Sequence, residues 1–352
     1  MDGMTLTSRL ARLDVKGALG ADKMMDFSAS IRALPSNGGI TKTDQGSIGS
    51  LVFDGRVHGP VKAPTVSAKL AVADARLPDG DLGALDASIA IVPSAELTDR
   101  TATVAIDASL RASGIAPRDA ALAAAIGDRA SLALKGSPAP GGTPGIGRLA
   151  LGTATAQASY SGEAGPDRVS GRATATVPDL ARFGGVAGLK LAGAVKLNLD
   201  LDGDPRRGRI DAKLSGAADR LATGLAVLDG LAGPRVTLAA DVSSDGKNTY
   251  TLRDASLDGA HVRLRAKGGV SRETSDLAAR IELADLAAAD ARLSGTAALD
   301  ARLTGGLAHP GLALTAALDR ATAMKRAIPH LGLEATIADI NGPCAIDVRL
   351  DG

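Results

Sequence analysis

The side chains able to do chemistry are few and scattered. His58, His261, His309 and His330 stand far apart, with no His-Glu-x-x-His pattern and no cysteine close by. Surface or turn roles are expected for them rather than metal ligation. Asp200-Leu201-Asp202-Gly203-Asp204 has the carboxylate density of a calcium loop. An EF-hand, however, wants glycine at position six and glutamate at position twelve. Here Gly203 falls at position four and Asp211 at twelve, so a strand end running into a turn is expected. The glycines of Gly141-Gly142-Thr143-Pro144-Gly145-Ile146-Gly147 lack the Lys-Ser/Thr that grips phosphates. No Gly-x-Ser-x-Gly nucleophile elbow is present. Cys344, the single cysteine, follows Pro343 and excludes an internal disulfide or a cysteine-based zinc site. No catalytic residue, metal or cofactor is expected, and the chain does not read as an enzyme.

Composition points away from other classes. The 40 basic and 39 acidic side chains are evenly spread, giving a formal charge of +1. With no basic stripe and aromatics at 1%, nucleic acid is not an expected partner. Hydrophobic residues make up 45% of the chain, mostly Ala, Leu, Val and Ile. A compact core leans on aromatics for buried area, whereas a thin, shallow structure needs them less. No run of apolar residues is long enough to span a membrane as a helix, and no signal peptide is visible. The chain stops at Leu350-Asp351-Gly352 in mid-pattern, which predicts a piece of a longer protein.

The elements that carry these residues alternate with period two. Val195, Leu197, Leu199 and Leu201 are interleaved with Lys196, Asn198, Asp200 and Asp202, and 169–177 reads the same way. Successive side chains of a strand point to opposite faces, so each run has one oily and one wet face. Turn residues separate the runs at hairpin spacing, predicting a long antiparallel meander. On alternation the oily face comprises Val66, Leu70, Val104, Ile106, Leu132 and Leu134. It continues through Val195, Leu197, Leu199, Leu201, Ile210 and Leu214, then Val262, Leu264, Ile281, Leu299 and Leu303. Ile346, Val348 and Leu350 complete it. With so many Ala and Gly on that face, two facing walls would leave room for a chain-like apolar ligand. The alternative is a closed sandwich core. Short helices are expected at Ala116–Ile126 and Ala217–Leu231, with a weaker pattern at Asp319–Leu331 broken by Pro329.

The chain also repeats itself. Gly127-Asp128-Arg129-Ala130-Ser131-Leu132 returns 106 residues later as Gly233-Pro234-Arg235-Val236-Thr237-Leu238, and Pro178-Asp179-Leu180 returns as Ala284-Asp285-Leu286. A longer echo links Phe53-Asp54-Gly55-Arg56 to Leu299-Asp300-Ala301-Arg302. Stacked units of this kind work through continuous surfaces. The expected organisation is weakly matched leading strands in 1–44, repeat units in 45–115, 116–216 and 217–318, and the start of a truncated unit in 319–352.

These repeats carry a family likeness. Residues 177–188 (VPDLARFGGVAG), then 191–203 (LAGAVKLNLDLDG), resemble the central repeats of the TamB-like family of the AsmA-like superfamily. So does 236–270, with its Leu257-Asp258-Gly259-Ala260 turn. The resemblance covers most of residues 45–352. It implies an all-β fold: an elongated, repetitive antiparallel sheet curled into a β-taco groove, with a few short helices at repeat junctions. It further implies a periplasmic chain whose parent is anchored in the inner membrane of a diderm bacterium. Phospholipid would be the ligand, carried between inner and outer membranes in support of outer-membrane biogenesis. A TamA-like outer-membrane barrel would be a partner, through parts of the parent outside this chain. Two other readings are a chaperone-like scaffold for assembly of outer-membrane β-barrels and autotransporters, and a surface adhesin built as a closed β-solenoid. For the adhesin only Asn37-Gly38-Gly39 hints at the required ladder.

Overall fold

A computed structural model describes residues 2–8, 11–33, 46–99, 102–137, 145–306, 308–323, 326–341 and 346–351. Asn37-Gly38-Gly39, most of the 137–145 loop and Cys344 lie outside the described residues, as does the side chain of Ile346. The chain is all-β and antiparallel, with few short helices and no closure of the sheet. It divides into two compact units. Unit 1 is Met1–Asp167 with Gly185–Ala187, and unit 2 is Arg168–Gly184 with Gly188–Gly352.

In unit 1 the strands are β1 (Asp2–Thr7), β2 (Ala11–Leu19), β3 (Met24–Ala33), β4 (Ser47–Pro60), β5 (Thr65–Leu77) and β6 (Gly80–Pro93). They continue as β7 (Val104–Ser113), β8 (Ala116–Pro117), β9 (Arg129–Gly136), β10 (Ile146–Thr153) and β11 (Gln157–Ala164). Each long strand pairs with its neighbours in sequence, except that β8 pairs with the start of β6 and β7 pairs with β9. Helix α1 (Ala120–Ile126) fills the gap this leaves, and α2 (Gly184–Ala187) approaches it at Ala121.

Unit 2 runs through β12 (Val169–Val177), β13 (Ala192–Asp204), β14 (Arg209–Ala222), β15 (Arg235–Asp245), β16 (Tyr250–Asp258) and β17 (Val262–Val270). It ends with β18 (Ser275–Leu283), β19 (Leu293–Thr304), β20 (Gly311–Ala323), β21 (Arg326–Ile337) and β22 (Ile346–Asp351). All are paired in chain order. Helix α3 (Ala226–Ala232) joins β14 to β15.

Two helix expectations are corrected. Ala217–Ala222 continues β14, and the helix begins only at Ala226. Ladder bonds to β13 on one side and β15 on the other outweigh alanine's modest helix preference. Asp319–Leu331 is a hairpin, not a helix, with Leu318 opposite Leu331. Pro329 is tolerated there because it faces Arg320, which has a positive φ of 50° and leaves the ladder at that point.

The sequence repeat is a repeat of geometry. Helices α1 and α3 lie 106 residues apart and stop at Gly127 and Gly233, with φ of 72° and 67°. Each glycine donates to the helix, to the carbonyls of Ala123 and Asp229. A Cβ at either position would sit 2.6 or 2.5 Å from the Cβ of Ala154 or Ala260, also 106 residues apart. The 3₁₀ turns Leu180–Phe183 and Leu286–Ala288 are likewise capped by Asp179 and Asp285, which accept from the backbone N–H of Ala181 and Ala287.

Strands take 68% of the chain and helices 9%, too little helix to cover a sheet of this extent. The accessible surface is 21584 Å², where a compact chain of 35.1 kDa would show about 13,000 Å². Among the described residues the buried apolar positions are Ala75, Ala102, Ala125, Val236, Leu286 and Ala321, and no large side chain is fully buried.

Candidate functional site: a continuous apolar face

Register converts local alternation into a continuous surface. Across unit 1, Leu13, Ile31, Phe53, Leu70, Ala87, Leu110, Leu132, Leu151 and Ala158 form one row, each opposite the next on the neighbouring strand. Across unit 2, the row is Ala175, Leu197, Gly216, Leu238, Leu257, Leu264, Ile281, Leu299, Ala316, Leu333 and Leu350. A second row beside it includes Leu199, Leu214, Ala240, Ala255, Ala266, Ala279, Ala301 and Val348.

Register places the following expected oily positions opposite apolar residues or glycine. In unit 1, Val66 faces Val57 and Ile91, Val104 faces Pro93, Ile106 faces Ile91, and Leu134 faces Ala108 and Leu149. In unit 2, Val195 faces Val177 and Ala218, Leu201 faces Gly171 and Ala212, and Ile210 faces Gly203. Val262 faces Leu283, Leu303 faces Leu277 and Leu312, and the backbone of Ile346 pairs with Ile337. Most of these side chains are half-buried. Towards β22 they open further, with Leu350 at 66% exposure. Within unit 1 a shallow apolar depression of about 330 Å³ is lined mainly by Phe53, Leu70, Ala87, Ile89, Leu110 and Leu132.

The opposite face is charged and cross-linked. Arg172 meets Asp200 at 2.6 Å, Arg280 meets Glu282 and Asp300, and Arg253 reaches both Asp211 and Asp241. These pairs are exposed, so each contributes little to stability. Their effect is to keep that face in water, which fixes the other face as the apolar one.

The described carboxylates and histidines scanned for chemistry fall on turns and on this wet face. Asp200 is a cross-strand partner, and Asp204 accepts from the Arg207 backbone N–H at a turn. His309 and His330 pair with Asp339 and Asp319. No group of three or more metal-ligating side chains occurs among the described residues.

Turn carboxylates provide a pH handle. Asp290 accepts from the Arg292 side chain and backbone N–H, which lowers its pKa from 3.8 to about 2. A group whose pKa falls on folding stabilises the fold above its unfolded pKa and loses that contribution as pH drops through the folded value. The melting temperature should therefore fall between about pH 4 and pH 2. Asp290→Asn should flatten its share of that slope, which thermal melts across the window would read.

Fold and face together define a class: an open, repetitive antiparallel β-sheet protein with one apolar and one charged face. No family model, curated protein or solved structure matches the chain.

Proposed function

We propose that this chain is a segment of a bridge-like lipid-transfer protein of the TamB-like kind. Its apolar face carries phospholipid acyl chains between inner and outer membranes, with head groups left in water. The reading rests on one observation: apolar rows cross strand after strand in both units, and among the described residues no large side chain is fully buried. Each acyl methylene laid on such a face gains roughly 0.8 kcal/mol, so retention needs no specific polar contact. Ala, Val and Leu give a smooth lining with few anchoring shapes, which suits movement along the face. On this reading the chain works in the periplasm. Its inner-membrane anchor and its TamA-like contact belong to other parts of the parent protein.

Native mass spectrometry with lipid extraction on the purified chain tests the proposal. More than one phospholipid per chain is expected. A folded chain that is lipid-free and refuses added phospholipid would sink it. The scaffold reading, in which sheet edges guide outer-membrane β-barrel strands, would then move ahead.

A further inference from the structure

The charged face holds a feature that its role as a wet backing does not require. Each unit has a broad depression on that face, about 790 Å³ in unit 1 and about 660 Å³ in unit 2. Four cations line each, Arg12, Lys16, Arg56 and Lys69 in the first and Arg265, Lys267, Arg280 and Arg302 in the second. Two aspartates accompany them, Asp14 and Asp54 in unit 1 and Asp254 and Asp300 in unit 2.

The two depressions share one cross-strand pattern of a lysine, an arginine and an aspartate. In unit 1 a cross-strand row runs Lys16, Ser28, Arg56, Ser67. In unit 2 the matching row runs Lys267, Ala278, Arg302, Ala313. Beside them Asp54 and Asp300 hold equivalent places, two residues before each arginine. Each arginine is clamped by an aspartate in the same way. Arg56 donates from Nε and Nη2 to Asp26 at 3.0 and 2.8 Å, and Arg302 donates from Nε and Nη2 to Asp276 at 2.9 and 3.2 Å. Exposed ion pairs of this sort add little to stability, so the fold has slight need to build one twice.

Chemistry follows from what the clamp leaves over. With Nε and Nη2 engaged, the guanidinium is held in one orientation and Nη1 remains to donate elsewhere. The lysine two strands away is exposed and has no ion pair among the described residues. At ~4.8 Å per strand the two Cα atoms are roughly 10 Å apart, a gap that two long cationic side chains close around one tetrahedral anion. An oriented guanidinium facing a mobile ammonium is a phosphate-binding pair.

We propose that each unit carries a site for a phosphate group, centred on Lys16 and Arg56 in unit 1 and on Lys267 and Arg302 in unit 2. It lies on the face opposite the apolar rows and stands independently of the lipid reading.

The test is calorimetric titration of the full chain at low ionic strength with inorganic phosphate and with glycerol 3-phosphate, using chloride as reference. Saturable binding at two sites is expected. Lys16→Ala and Lys267→Ala should each remove one site, and the double variant should weaken binding at least about ten-fold. Because both lysines are exposed and unpaired, these variants stay folded. Lys247→Ala, on an exposed turn, should leave binding unchanged. Tighter binding of glycerol 3-phosphate assigns a phosphate ester as ligand, and equal or tighter binding of inorganic phosphate assigns the free ion. Sedimentation with phosphatidylglycerol vesicles that is lost in the double variant assigns a lipid head group. A response linear in phosphate, or one that Lys247→Ala reduces as much as Lys16→Ala, overturns the proposal.

Discussion

Leu264→Arg is expected to strip acyl chains from unit 2 while the sheet stays folded. Leu264 lies mid-row, between Leu257 and Ile281 on the neighbouring strands. A guanidinium there places a hydrated charge in the path of any apolar ligand crossing the row. Laying an acyl chain over it would cost several kcal/mol, more than the few methylenes in contact can return at roughly 0.8 kcal/mol each. The backbone ladder is untouched, and the half-exposed position lets the long side chain reach water. Bound phospholipid should therefore drop at least about ten-fold in unit 2, with an unchanged far-ultraviolet β-signal. Arg263→Leu, on the wet face of the same strand and outside the charged depression, is the matched control and should keep its lipid. Equal occupancy in wild type and Leu264→Arg would show that the face is not the path.

Gly193→Val should damage the fold itself. Gly193 has φ of 106°, and a Cβ there would lie 2.6 Å from the carbonyl oxygens of both Asp219 and Arg220. The register slips at this point, because Arg220, with φ of 53°, bulges out of β14. A branched side chain meets both a forbidden dihedral and fixed backbone, so a loss on the order of 3 kcal/mol is expected. Gly188 provides the comparison: its φ is 66°, but a Cβ there has nothing within 4 Å. Gly188→Ala should cost only the left-handed strain, about 1–2 kcal/mol. Denaturant midpoints of the two variants decide it. Equal midpoints would mean that the backbone relaxes around Gly193 freely.

The same device appears twice. Gly193 faces the bulge at Arg220 and Gly295 that at Arg320. The glycines were visible as repeat markers, as in Leu191-Ala192-Gly193 and Leu293-Ser294-Gly295. The bulges were not, because Arg carries no signal for positive φ. Strand periodicity was legible for a simple reason: where one face is oily and the other charged, a slip of one residue is too costly, so alternation fixes register. Val169–Val177 is a strand over the very span that alternates.

Helix boundaries were less legible. Around Ala217–Leu231 a helical spacing of leucines overlaps a strand alternation through Ala212, Leu214, Gly216 and Ala218. Pairing with β13 and β15 decides between them. The charged-face cradles were hidden for a related reason. Lys16 and Arg56 are 40 residues apart and meet only through the register of three strands. The echo of Phe53-Asp54-Gly55-Arg56 in Leu299-Asp300-Ala301-Arg302 was on view, but its meaning needed the partner strands.

Pairing in chain order has a consequence for how such a molecule comes into being. Nearly every strand docks on the one made just before it, and the longest detour is from β7 past α1 to β9. Loop closure is therefore short at almost every step, and contact order stays low for a β-protein. A chain entering a compartment amino-terminus first would find the edge it needs already laid down, and could zip up at the pace of its own delivery. The growing edge is where the next strand adds, and that strand is nearly always the nearest thing to cover it.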